Sequence, residues 1–445
     1  MRAPRHTIIP VFPRCQPTSQ RPAQRDKDGT PMHFAFVVQP LYGHVNPTLP
    51  LVEELVRRGH RVSFATGHEL VPLVERAGAE GVGLPTKMPE MPSSRDDFTT
   101  ERFAEIARGI TQDARDYFPM LNEHFERDRP DAVCYDWLTF TGQMLVDTIG
   151  VPGISLIPIF AANENYSMTA ELIGDVPADI AAVMDQIEQE RAAFAADHGV
   201  TASLDTLNGK HVAALNLVFM PREFQLSEHT FDDRFRFLGP MLPSGETHDD
   251  WTPQHTDRPV LYISMGTLFN RDESFYKLCF EAFGDSRWQV AMSIGQRTAV
   301  SDLGDIPANF DVRQRFPQLS VLRQADAHIS HAGMNSVMES LAHGVPMVAL
   351  PQMAEQVGNA SQSQELGLAY RLDPDDLTPE RLRDAVERIV ADGKVHTNLD
   401  AMRRVISNCG GAIAGADAIE AHVARAGMSA PAVLPATDPE RQCAL

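Results

Sequence analysis

At 445 residues the chain is too long for one ordinary domain and long enough for two. Its net charge of −21 argues against a protein that coats nucleic acid or an anionic membrane, while 43% hydrophobic and 22% charged residues are ordinary for a globular protein. Five scattered cysteines without a Cys-x-x-Cys pair argue against a disulfide frame or a zinc site, and no run approaches the roughly 20 apolar residues of a membrane span. A reduced, cytoplasmic protein is the expectation.

Residues 1–31 carry Pro, Gln and Arg, follow no periodicity and lack the apolar stretch of a secretory signal. A disordered extension is expected there, with Met32 as an alternative start. His33–Val38 reads as a strand buried on both faces. After Gly43-His-Val-Asn-Pro47, Asn46 is expected to cap a helix with Pro47 in its first turn and Leu49, Val52, Leu55 and Val56 along its apolar stripe. Gly59 ends that helix and Arg61–Thr66 is the next strand. This βαβ start has no Gly-x-Gly-x-x-Gly, which disfavours a dinucleotide cofactor.

The stretches Pro85–Thr100 and Ile157–Val176 read equally as surface loops and as ligand loops at strand ends. Asp131–Asp136 is a strand ending in an acid, Thr141–Ile149 a helix and Val151–Ile159 a strand. Repeated alternation predicts a doubly wound parallel sheet. Residues 239–259, rich in Pro, Gly and polar groups, read as a linker. They divide a first domain, 32–238, from a second, 260–426, and residues 427–445 read as a flexible tail. The second domain starts with Val260–Thr267 and continues through strands at Trp288–Ile294 and Phe310–Val312. Helices are expected over Pro379–Gly393 and Leu399–Arg425, the last free to pack back on the first domain.

Within the second domain, Ala327–Ser330 is an apolar strand, followed by a glycine turn and a helix marked by Val337, Met338 and Leu341. Gly344-Val345-Pro346 stops that helix and Met347–Leu350 is the next strand. The N-terminus of such a helix is a ready anion site. Ser336-x-x-Glu339 is also a plain capping box, so spacing alone favours neither reading. With 16 histidines in the chain, His44 taken alone is more often structural than catalytic. Asp373-Pro-Asp375 has the form of an Asp-x-Asp metal motif, but its place before a helix reads as a turn and cap. No metal is expected.

The order His331, Gly333, Asn335-Ser336, Glu339, Gly344-Val345-Pro346, Pro351, Glu355-Gln356 resembles the nucleotide-sugar signature of the family 1 glycosyltransferases. Gly43–Pro47 resembles the catalytic loop of the macrolide-type branch of that family. The resemblance implies the GT-B architecture, two Rossmann-like domains facing across a cleft. It implies that His44 is the general base and Asp136 orients it. It assigns His331, Gly333, Met334, Asn335 and Ser336 to the donor diphosphate, Glu339 to the ribose and Glu355-Gln356 to the sugar. Gly43, Ser264 and Thr267 match further donor-facing positions. Where the family commonly stacks a tryptophan on the base, this chain has Arg315-Phe316-Pro-Gln318, and a guanidinium plane can also stack on a base.

The implied reaction is metal-independent, inverting transfer of a hexose to a hydroxyl of a small hydrophobic acceptor such as a macrolide or polyphenol. No cofactor is implied beyond the nucleotide sugar. Glu339 favours a UDP-sugar over a dTDP-sugar, and the protein is expected as a monomer or homodimer. The rivals are a dTDP-deoxysugar transferase, a lipid-linked sugar transferase and a non-catalytic nucleotide-binding helper. The second should carry a basic, apolar docking patch that the sequence lacks, and the third should lack the pair His44 and Asp136.

Overall fold

The computed structural model describes residues 30–85, 100–168, 178–200, 212–243, 251–266 and 273–429. The expected extension up to residue 29, the loop 86–99, residues 169–176 of the second loop, residues 244–250 of the linker, Thr267 and the tail from 430 lie outside the described residues.

The first sheet has seven parallel strands: β1 (His33–Val37), β2 (Arg61–Gly67), β3 (Glu80–Leu84), β4 (Ala132–Asp136), β5 (Gly153–Ile157), β6 (Leu215–Val218) and β7 (Phe235–Phe237). Their spatial order is β3-β2-β1-β4-β5-β6-β7. Chain order reverses between β1 and β4, whose register pairs Val37 with Tyr135. Helices α1 (Tyr42–Val45), α2 (Leu49–Arg57), α3 (Val71–Arg76), α4 (Thr100–Arg127), α5 (Phe140–Ile149) and α6 (Ala178–Asp197) connect and cover it. Every residue of β1 is buried. Phe34 and Phe36 enter the core shared with Leu51 and Leu55 of α2, while Ala35 and Val37 enter the core shared with Phe118 and Met144. A one-residue slip would exchange the two faces, so the register is fixed by side-chain volume.

The second sheet has six parallel strands: β8 (Val260–Ser264), β9 (Gln289–Ser293), β10 (Phe310–Arg313), β11 (Ala327–Ser330), β12 (Met347–Ala349) and β13 (Ala369–Arg371). Their order is β10-β9-β8-β11-β12-β13, with the reversal between β8 and β11. Helices α7 (Glu273–Phe283), α8 (Gln318–Leu322), α9 (Met334–His343), α10 (Ala354–Glu365), α11 (Pro379–Ala391), α12 (Gly393–Asn408) and α13 (Gly411–Ser429) complete this half. In open α/β sheets ligands bind beyond the carboxyl ends of the strands at such reversals. The two reversals therefore mark where a site should lie.

Two expected boundaries are corrected. Helical geometry begins at Tyr42, ahead of Asn46: Asn46 is itself helical, its N–H donates to the Tyr42 carbonyl, and its side chain caps nothing. His44 therefore stands in a helical turn rather than an open loop. The helix expected over 399–425 is broken at Gly410 (φ 86°) and Gly411 (φ 52°), a left-handed pair that glycine adopts without strain. The break directs α13 back to the first domain, where Ala416 and Ile419 join the core of Leu51 and Leu55. Arg58 bonds Asp417 at 2.6 Å and pairs with Glu420 at 3.2 Å, and His60 Nε2 donates to Glu420 at 2.9 Å.

Candidate active site

The carboxyl end of β4 delivers Asp136, 1% exposed, to the turn that carries His44. His44 Nδ1 lies 2.6 Å from Asp136 Oδ2, joining residues 92 positions apart in the chain. The other carboxylate oxygen, Oδ1, accepts from the Leu138 N–H at 2.9 Å, which fixes the acid. With a carboxylate as acceptor, Nδ1 carries the proton and Nε2 keeps its lone pair. Burial alone would lower the basicity of His44. Asp136 outweighs it, Glu355 of the second domain adds to the effect, and the pKa is raised above 6.5.

Across the cleft, β11 ends in the turn Ser330-His331-Ala332-Gly333. Ala332 has φ 61°, a left-handed conformation that costs an L-residue about 1–2 kcal/mol. Gly333 then serves as N-cap of α9 with no side-chain cap bond, so the first-turn N–H groups have no cap from the N-cap residue. The capping-box reading is therefore corrected: Ser336 does not cap, and its hydroxyl instead accepts from Gln318 at 3.3 Å. The His331 ring rests against Gly266 and Gly333, where a Cβ at either position would come within 2.5 Å of it. Desolvation pushes His331 down to about 4, and its Nδ1 is buried without a hydrogen-bond partner among the described residues. Asn335 Nδ2 donates 3.0 Å to the Gly43 carbonyl, so this turn and the His44 turn are in direct contact. Met334 buries its side chain in the core and has only its backbone N–H at the site, bonded to Glu355.

A polar chain runs along the side of α9. Tyr262 Oη donates to Gln318 Oε1 at 3.2 Å, and Gln318 Nε2 donates to Glu339 Oε2 at 2.6 Å. Burial pushes Glu339 up to about 7, with the Gln318 bond opposing. Arg315 is exposed and Ser264 is buried at the end of β8. Phe316 corrects an expectation: its ring is 4% exposed and packs edge-on against Trp251 and Tyr262, so it fills the core instead of facing a ligand. The cation over that ring is Arg313, at 4.9 Å, and not Arg315.

At the start of α10, burial raises the pKa of Glu355, opposed by bonds from Asn359 and the Met334 N–H and by the charge of His44. Gln356, also buried, accepts from the Gln352 N–H at 2.8 Å. Asp373 accepts from the Asp375 N–H and caps a short 3-10 turn.

Residues 282–408 match the family described as erythromycin biosynthesis protein CIII-like, C-terminal domain. The chain is 38% identical over 390 residues to NDP-glycosyltransferase YjiC of Bacillus subtilis (strain 168), covering 87% of this chain and 97% of that one. It is 34% identical to demethyllactenocin mycarosyltransferase of Streptomyces fradiae, over 87% and 86% of the two chains. The crystal structure of CalG4, the calicheamicin glycosyltransferase, superposes with a TM-score of 0.76 at 34% identity, covering 89% of this chain and 99% of that one. The chain belongs to the family 1 glycosyltransferases, in their macrolide-type branch. It is a GT-B glycosyltransferase.

In this glycosyltransferase the structure brings together His44, Asp136, Gly43, Asn335 and Glu355 around one cleft, and groups Gln318, Ser336 and Glu339 beside α9. Tyr262, Ala332 and Asn359 were not singled out by the sequence. Tyr262 places a hydroxyl among the apolar residues Val260, Leu261 and Ile263, and Asn359 lies four residues after Glu355 on one helix face. Those were the available signals. A left-handed alanine leaves none. Among the described residues no helix is long and apolar enough to cross a membrane.

Proposed function

We propose that the enzyme transfers a hexose from UDP-glucose to a hydroxyl of a small hydrophobic acceptor, such as a macrolide or polyphenol, in one in-line displacement with inversion. No metal or further cofactor takes part in this reading, and the enzyme works in the cytoplasm as a monomer or homodimer. The observation that carries it is the 2.6 Å contact between His44 and Asp136, set opposite the N-terminus of α9.

In the proposed step the acceptor hydroxyl gives its proton to His44 Nε2 as its oxygen attacks the anomeric carbon. The bond from that carbon to the diphosphate oxygen breaks on the opposite face. Asp136 balances the imidazolium, as a carboxylate behind a base does elsewhere. Charge leaves with the nucleoside diphosphate toward the α9 N-terminus, the Asn335 and Ser336 region and His331, where preorganised donors stabilise it. Glu339 would accept from the ribose hydroxyls, which supports UDP over dTDP. Glu355 and Gln356 would take the sugar hydroxyls. The relatives' names fit this reading without fixing it: one names an unspecified nucleoside diphosphate and another demethyllactenocin.

His44→Ala assayed with UDP-glucose and a promiscuous phenol tests the proposal. Loss of the base should cost on the order of 100- to 10,000-fold in turnover, and unchanged turnover would remove the mechanism. A thermal-shift panel of nucleotides tests the donor. Stabilisation by dTDP alone would overturn the choice of UDP.

A further inference from the structure

We infer that Asn359 is a positioning residue for the donor sugar, joining the anion turn to the sugar-binding acid through one amide group. It sits inside α10 with no exposed surface. Its Nδ2 donates to the Ala332 carbonyl at 2.9 Å and to Glu355 Oε1 at 2.7 Å. Asparagine is a poor residue for a helix interior because its amide competes with the backbone. Here both bonds go outside the helix backbone. The amide orientation is also determined, since the reverse would turn its oxygen toward a carbonyl and a carboxylate.

The two acceptors are the two parts of the site that a nucleotide sugar must bridge. Ala332 holds the left-handed conformation that opens α9 to an anion, and its N–H and C=O are tied by the Ser330 hydroxyl (3.2 Å) and Asn359. Glu355 accepts from Asn359 through Oε1 at 2.7 Å. With one carboxylate oxygen engaged by Asn359, the aim of the rest depends on that bond. Asn359 thus sets the distance between phosphate turn and sugar acid without touching substrate. The inference rests on the reading of Glu355 as the acid that binds sugar hydroxyls.

The test is equilibrium binding by calorimetry, without acceptor, of free nucleoside diphosphate and of whichever of UDP-glucose and dTDP-glucose the enzyme binds. Glu355→Gln, Asn359→Ala and the double variant form a cycle. Each single change should weaken nucleotide-sugar binding by roughly tenfold, the size of one charge-assisted hydrogen bond, and the double should be no weaker than the worse single. Free nucleotide should be weakened by Asn359→Ala and not by Glu355→Gln. Asn359→Asp supplies a signature that packing alone would not give. Two adjoining acids share one proton, so its nucleotide-sugar affinity should recover as pH falls from about 8 to about 6, whereas Asn359→Ala stays flat. That variant also carries the test if Asn359→Ala does not fold. No effect of Glu355→Gln on nucleotide-sugar binding would remove the sugar-acid reading itself. A weakened Glu355→Gln, combined with additive single effects or a pH-flat Asn359→Asp, would leave that reading and overturn the role of Asn359.

Discussion

His44 is pulled in two directions, and the balance sets its chemistry. Desolvation lowers its affinity for a proton, while Asp136 and, from the other domain, Glu355 raise it. The net rise places the alkaline-going limb of kcat/KM above pH 6.5, because only the neutral imidazole can act as base. Asp136→Asn removes the larger of the two raising charges and the acceptor of the Nδ1 proton. The limb should move to lower pH and the plateau rate should fall by about 100-fold or more. A full pH profile measures both, and a limb left in place would contradict the pairing. At this scale the pairing of His44 with Asp136 was legible, since motif and position pointed to both and the structure joins them. Phe316 was misplaced because a sequence does not say which face of a loop an aromatic ring takes. Its partners, Trp251 and Tyr262, come from other segments. Tyr262 and Asn359 were missed for a related reason. Their importance lies in what they bond, and Gln318 and Ala332 are 56 and 27 residues away.

The turn at 331–333 and the glycine that follows β8 meet at one ring. Gly266 (φ 75°) follows β8, and a Cβ there would come within 2.5 Å of the His331 ring. Gly266→Ala should therefore displace His331 as well as strain the backbone by about 1–2 kcal/mol. The expected result is a donor KM raised by about tenfold or more with the acceptor KM nearly unchanged. Steady-state kinetics with each substrate varied in turn would show it, and an equal change in both would refute a local effect. Among the elements, long apolar runs were legible, while the short buried β6 was not read. β1 and β11 are continuous buried runs and were read within a residue, and β8 starts at Val260 as expected but ends at Ser264. β3, with Gly81 and Gly83, and the three-residue β7 and β13 carry too little side-chain signal to read as strands. The break before α13 was missed although the pair Gly410-Gly411 is itself a turn signal in the sequence.

For the whole molecule, the second domain is built around histidines kept neutral. His328, stacked on Tyr262 and bonded to the Ser340 hydroxyl, is pushed down to about 3 by burial and by His331, and His331 is pushed down to about 4. Both folded values lie below the unfolded value of 6.5. The unfolded chain therefore binds more protons between those limits, and stability present above pH 6.5 is lost as pH falls. Glu339, raised to about 7, acts in the opposite sense: its folded form gains stability as pH falls toward the usual carboxylate range. Glu355, also raised, acts in the same sense as Glu339, so the loss on acidification is a contribution of the two histidines that these acids oppose. Urea unfolding at a series of pH values would measure it. His328→Gln should flatten the slope, and an unchanged slope would show that this ring does not contribute.

The return of α13 has a consequence for how such enzymes can exchange parts. Because Ala416 and Ile419 complete a core made mostly by residues near the N-terminus, the first half of the molecule is encoded in two separate pieces of sequence. A single recombination within 239–259 would leave each chimera with a foreign helix opposite α2, and Arg58 and His60 facing unmatched partners. A clean transplant of the first half requires a second junction at Gly410-Gly411, so that each α13 travels with the surface it was shaped to cover.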